Sequence, residues 1–166
     1  LGGGRNLDKQ DTLNYASEIR RQIGSTAKPL YDYGPAIEYL NWNTYSIVAD
    51  EPITYSDGTS INNWDGGFHG FETMRAALTY SRNIPALKAF KANDKSKILL
   101  FVTNLGLTPE LIGSTLHEAH AIGGYPGESS LTMASAYAAF ANGGYYTAPY
   151  SFTKIEFSDG TYYDNV

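Results

Sequence analysis

The chain has 166 residues, with 12 lysines and arginines against 17 aspartates and glutamates, a net charge of −5 and no cysteine. At most one domain is expected, long enough to bury a core; the acidic balance argues against nucleic acid as a partner, and the lack of cysteine excludes disulfides, thiolate metal sites and thiol nucleophiles. No apolar run approaches the ~18 residues of a membrane span and no leader opens the chain, so an export signal or anchor is expected outside it.

Leu1-Gly2-Gly3-Gly4-Arg5 reads as the end of a strand, and residues 1–24 as a lead-in strand end and loop that places Arg5, Arg20 and Arg21 as sources of positive charge. A helix is expected from Ser25 to about Leu40, with Leu30, Tyr33, Ile37 and Leu40 on its apolar face and a kink at Gly34-Pro35. Residues 41–71 read as loop apart from a hairpin around Tyr55-Ser56-Asp57-Gly58-Thr59. Thr73 caps a short helix through Tyr80, Ser81-Arg82-Asn83 breaks it, and Ile84-Pro85 opens another to about Asn93. Asp94 caps a third helix ending near Gly106, and residues 108–127 are loop-rich. A helix of small residues from Thr132 to Asn142 stops at Gly143-Gly144, and strands around the Asp159-Gly160 turn follow. Helices outweigh strands.

Two constellations carry chemistry. Ser25 and Lys28 stand three apart at a helix start, where side chains share a face with Cβ atoms about 5–6 Å apart, so the lysine can fold back towards the serine hydroxyl. A serine becomes a nucleophile when a neighbouring base takes its proton, and lysine can be that base when burial or nearby positive charge lowers its pKa. Free N–H groups at the helix start face developing negative charge. Roughly one Ser-x-x-Lys is expected by chance in a chain of this length, and Ser151-Phe152-Thr153-Lys154 is a second copy. It lies in a strand-like run, where positions three apart face opposite ways, and is read as a decoy. The second constellation is Ser81-Arg82-Asn83, a loop between helices offering a hydroxyl for proton relay and an amide to hold a peptide. Ser60-Ile61-Asn62 has the same spelling but no helix to hold it rigid.

The remaining polar residues have plainer readings. His117 and His120, three apart, lack a third metal ligand. Glu118 and Glu128 are expected to face solvent, and Trp42 and Trp64 to stand in the core or a cleft wall.

Together the two constellations carry a resemblance. Arg21-Gln22-Ile23-Gly24-Ser25-Thr26-Ala27-Lys28-Pro29, the run Thr73 to Ala86 around Ser81-Arg82-Asn83, and Ala136 to Gly144 resemble, in order, stretches of the transpeptidase domain of class A penicillin-binding proteins. The resemblance covers essentially the whole chain. It implies an α/β (α+β) fold of the penicillin-binding/β-lactamase-like kind, here mainly its helical part with partial strands, residues 1–166 being a partial domain. It also implies a serine D,D-transpeptidase that cross-links peptidoglycan stem peptides on the extracytoplasmic face of the bacterial cell membrane and is acylated by β-lactam antibiotics. Ser25 would be the nucleophile, Lys28 the base, Ser81 the proton relay and Asn83 the clamp on substrate amide, with the Ser25 N–H in the oxyanion hole. No metal or organic cofactor is implied. The family's third signature, Lys-Thr-Gly, does not occur in the 166 residues; the remainder of the domain is expected to supply it, and the chain alone to be inactive. A serine β-lactamase and a penicillin-binding sensor share the first two signatures. The β-lactamase would need Glu118 as a water-activating base.

Overall fold

The computed structural model describes residues 13–165; the strand end read at residues 1–5, with Arg5, lies outside them. One continuous helical stretch runs from Gly24 to Leu40 and changes type twice. A 3-10 turn at Gly24–Ala27 passes into a π-helical turn at Lys28–Tyr33 and then into helix α1, Gly34–Leu40. The stretch starts and ends as the spacing predicts, with a change of helix type at Gly34 where a kink was expected. Gly34 leaves no room for a side chain, since a Cβ there would lie 2.6 Å from Pro29 O and 2.8 Å from the Phe101 ring. Lys28, Tyr31 and Asp32 are buried along with Leu30 and Tyr33, so the central turn has no polar face, whereas Ile37, assigned to the apolar face, is about half exposed.

The expected loop of residues 41–71 holds four short strands: β1 (Ile47–Asp50), β2 (Ile53–Thr54), β3 (Ser60–Ile61) and β4 (Gly70–Thr73). β2 and β3 form the anticipated hairpin, Ile53 facing Ile61, closed by Tyr55 N–H to Thr59 O at 2.9 Å. β1 pairs antiparallel with β4, Ile47 opposite Thr73 and Asp50 opposite Gly70. This second sheet escaped sequence reading because its partners are some twenty residues apart and the inward position at Asp50 is a carboxylate, which breaks the apolar alternation.

Local capping chemistry governs the helices that follow. Thr73 Oγ1 accepts from Ala76 N to start α2 (Met74–Thr79), and Asp94 Oδ1 accepts from Ser96 N to start α4 (Lys95–Asn104). Between them lies α3 (Asn83–Ala92), whose N-cap residue, Arg82, makes no side-chain capping bond. After a 3-10 turn at Glu118–Ile122, α5 (Ser130–Ala141) starts two residues before the expected Thr132 and is capped by Ser129. The hairpin of β5 (Lys154–Glu156) and β6 (Tyr162–Asp164) is exposed throughout.

The main core wraps the 24–40 stretch. Leu30 and Tyr31 pack among Ile84, Leu87 and Phe90 of α3 and Ile98 and Val102 of α4, and a second cluster joins Tyr33 to Met74, Ala77, Ala86 and Ala89, with Trp42 against it. Each buried aliphatic or aromatic side chain contributes about 1.5–3 kcal/mol. The consequence is that Lys28 and the start of α3 are held against one another.

Candidate active site

Lys28 is fully buried at the start of the π-helical turn. Its Nζ lies 2.6 Å from Ser81 O, 3.0 Å from Ser81 Oγ and 2.8 Å from Asn83 Oδ1, with no hydrogen bond to Ser25 among the described residues. The lysine spans to the second constellation, 53 residues on, because the helical stretch packs directly on α3. Three acceptors match an ammonium's three donors. A neutral amine has two donors and one lone pair, which suits Ser81 O and Asn83 Oδ1 as acceptors and the Ser81 hydroxyl, rotated, as a donor. The shell is therefore satisfied in both protonation states.

Burial pulls the Lys28 pKa down to about 8, and the Asp32 carboxyl, one turn on, opposes the fall. Asp32 is fully buried with no hydrogen-bond partner on either oxygen among the described residues, and burial pushes its own pKa well up, against the pull of Lys28. Arg20, read above as a source of positive charge, is committed elsewhere: its guanidinium pairs with Glu128 at 2.7 Å.

Ser25 stands exposed in the 3-10 turn, after Gly24 at φ 54°. Two contacts hold that turn from the far end of the chain. A Cβ on Gly123 would clash with the Gly24 backbone, so only glycine permits the approach, and Tyr137 Oη of α5 donates to Thr26 O at 2.8 Å. The lead-in is strapped by Arg21 pairing with Glu128 backbone to backbone, and Arg20 also reaches Thr108 O at 2.7 Å and Gly127 O at 3.0 Å.

Ser81 takes φ 52°, a left-handed conformation costing a residue with a Cβ on the order of 1–3 kcal/mol. The turn that imposes it sends Ser81 N to Leu78 O and Arg82 N to Ala77 O, which aims the Ser81 carbonyl at Lys28. Arg82 next to it is buried and ion-paired to Asp65, whose carboxyl it holds down to about 2. Asn83 donates from Nδ2 to Asn62 O at 2.8 Å while Oδ1 meets Lys28.

Two carboxylates read as solvent-facing are buried. Glu128 accepts from Arg20 and from Thr108 N; Glu118 accepts from Ser56 N at 2.8 Å and Ser56 Oγ at 2.6 Å and pairs with Lys91. Glu118 opens the 3-10 turn and Glu128 bridges Arg21, and both are folded inward where polarity alone suggested surface. With its oxygens committed to Ser56 and Lys91, Glu118 is tied down as a structural clamp. Trp64 is largely exposed and pins the end of α2 through Nε1 to Tyr80 O. His120 is buried, stacked on Tyr125 at 4.4 Å, and forms a capping box with His117. Lys154 of the second Ser-x-x-Lys sits exposed in β5 beside Glu156. Asn63, Asp50 and Asp32 escaped the sequence reading. Asn63 and Asp50 meet partners 13 to 20 residues away with no periodic signal between, and Asp32 looks like any polar helix residue.

A model of the penicillin-binding protein transpeptidase domain matches residues 4–165. The chain is 47% identical to penicillin-binding protein 1A/1B of Bacillus subtilis over 99% of its own length and 18% of that protein's, and 40% identical to penicillin-binding protein 1A of Streptococcus pneumoniae over 90% and 21%. It thus spans about a fifth of the length of these curated relatives. Among solved structures it is similar to penicillin-binding protein 1A from Haemophilus influenzae (TM-score 0.77, 29% identity, 90% of this chain and 22% of that one). In fold it is also similar to PonA1 from Mycobacterium tuberculosis in complex with penicillin V (TM-score 0.80, 22% identity, 97% and 44%).

Proposed function

The chain belongs to the penicillin-binding protein transpeptidase family, and from that premise we propose that it carries the nucleophile half of a peptidoglycan D,D-transpeptidase site. The observation that carries the reading is the Lys28 ammonium, buried and shared between Ser81 and Asn83. It ties the two chemical constellations into one site and supplies a base poised near neutral pH.

In this reading Ser25 Oγ attacks the carbonyl of the penultimate D-alanine of a stem peptide. Lys28 takes the serine proton, the Ser25 N–H meets the oxyanion, and the C–N bond breaks as the Ser81 hydroxyl passes a proton to the departing D-alanine amine. Asn83 orients the substrate amide. An amine of a second stem peptide then attacks the ester, forming the cross-link and returning the proton to Ser25. A β-lactam acylates the same oxygen by ring opening, and no departing group leaves the site.

The rest of the domain would supply the lysine-bearing third element and the second oxyanion donor, a loss worth on the order of 10²–10³ in rate when absent. Residues 1–166 expressed alone are accordingly expected to acylate far more slowly than the natural protein. The site would work outside the cytoplasmic membrane; no helix among the described residues is long and apolar enough to cross one. The test is release of D-alanine from a donor stem peptide with formation of a cross-linked product by the natural full-length protein. Hydrolysis without cross-linking, or a penicillin adduct with no D-alanine release, would refute it.

A further inference from the structure

Sixty residues into the chain, in the stretch dismissed as loop, a side chain grips the second constellation from outside. Asn63 is 4% exposed, and its Oδ1 accepts from Asn83 N at 2.8 Å and Ile84 N at 3.3 Å. These are the first two N–H groups of α3, a helix whose N-cap residue makes no side-chain capping bond. The cap comes from 20 residues earlier, and a buried helix start needs such an acceptor.

The other end of the same amide is anchored as firmly. Asn63 Nδ2 donates to both oxygens of Asp50, each at 2.8 Å, and to Gly67 O at 2.9 Å. Asp50 is fully buried at the end of β1 and also accepts from His69 N at 3.1 Å. The amide has one possible orientation, because a flip would set NH₂ against two backbone N–H donors and oxygen against a carboxylate. The residue before it completes the grip. Asn62 O takes the Nδ2 hydrogen of Asn83, so Asn83 in turn has one orientation, with Oδ1 on Lys28.

We propose that Asn63, braced by Asp50, is a positioning residue of the acyl-transfer site, fixing the start of α3 so that Asn83 meets Lys28 with its oxygen. The proposal rests on the transpeptidase reading above. It differs from a plain stabilising cap in requiring both ends of the amide: an acceptor for α3 and a donor for Asp50. Asn63→Asp keeps the acceptor and sets two carboxylates face to face. Adding Asp50→Asn restores a donor–acceptor pair with the chemistry exchanged.

The experiment uses the natural full-length protein carrying this sequence, with Asn63→Ala, Asn63→Asp and the double variant Asp50→Asn/Asn63→Asp, labelled over a concentration series of fluorescent penicillin beside thermal melts. Both single variants are expected to lose on the order of ten- to a hundredfold in saturating acylation rate. Their half-saturating concentration should change by less than about threefold, and the double variant should recover most of the loss. Single variants acylating within about twofold of wild type, or a loss confined to half-saturation, would overturn the proposal. So would a double variant that melts like wild type and stays slow. Should the single variants fail to fold, the double variant decides by the same criterion. Wild-type protein that takes no label refutes the transpeptidase reading itself, a result distinguishable from any of these.

Discussion

Lys28→Arg separates charge from proton transfer. The substitution keeps a cation with ample donors for Ser81 O, Ser81 Oγ and Asn83 Oδ1, now at 2.6, 3.0 and 2.8 Å from Nζ. A guanidinium, with a pKa above ~12, cannot act as a base. Burial pulls Lys28 from an ordinary 10.5 to about 8. At pH 7 that makes about a tenth of the lysine free amine, against about one part in three thousand without the shift, a gain of roughly 300-fold in base. General-base assistance is worth on the order of 10²–10⁴, so Lys28→Arg should cut saturating acylation by about 10² or more, with little change in half-saturating concentration. Wild-type acylation should climb about tenfold per pH unit below 8 and flatten above it, because the free amine is the active form. The fold gains stability over the next, higher range, rising from about pH 8 towards 10.5, where the unfolded chain still holds a proton that the folded one has released. The assay is timed covalent labelling with a fluorescent penicillin from roughly pH 6 to 9, with melting curves to establish that the variant folds. An arginine variant within about threefold of wild type, or a flat wild-type profile, would refute a base role and leave Lys28 as a charge alone.

Ser25→Ala should abolish covalent labelling while leaving the melt intact; a labelled peptide containing Ser81 or Ser151 would move the nucleophile there. Ser81→Gly and Ser81→Ala both remove the hydroxyl, but only glycine relieves the left-handed backbone. Ser81→Gly should therefore be the more stable by about 1 kcal/mol in denaturant titrations, and equal stabilities would contradict the strain. Among the described residues, Arg20→Ala leaves Glu128 buried with Thr108 N and, at 3.4 Å, Thr108 Oγ1 as its side-chain partners. The half-exposed arginine limits the loss to about 1–2 kcal/mol, and a change below about 0.5 would show the strap to be incidental.

Much of the architecture is local and so can be read from the chain itself. Thr73 and Asp94 cap their helices with oxygens two or three residues from the N–H groups they meet, and Asp57-Gly58 and Asp159-Gly160 turn as their chemistry dictates. The Gly24–Leu40 helix and the break at Ser81 follow from apolar spacing and from its interruption. The family could be recognised because two short signatures stand in order within matching surroundings. What only the tertiary structure decided lies in contacts across long separations, for which no periodicity exists. The lysine one helical turn from Ser25 finds partners 53 and 55 residues away, since packing the 24–40 stretch on α3 brings Ser81 and Asn83 to its ammonium. Burial of Glu118, Glu128 and Asp32 depends on which loops and helices fold over them. A carboxylate's sequence neighbours say little about its solvent. The stretch at Ser60-Ile61-Asn62 was discounted for having no helix to hold it, yet Asn62 and Asn63 are what hold the helix: their polar groups meet α3 because the pairing of β1 with β4 carries Asp50 into the core behind them.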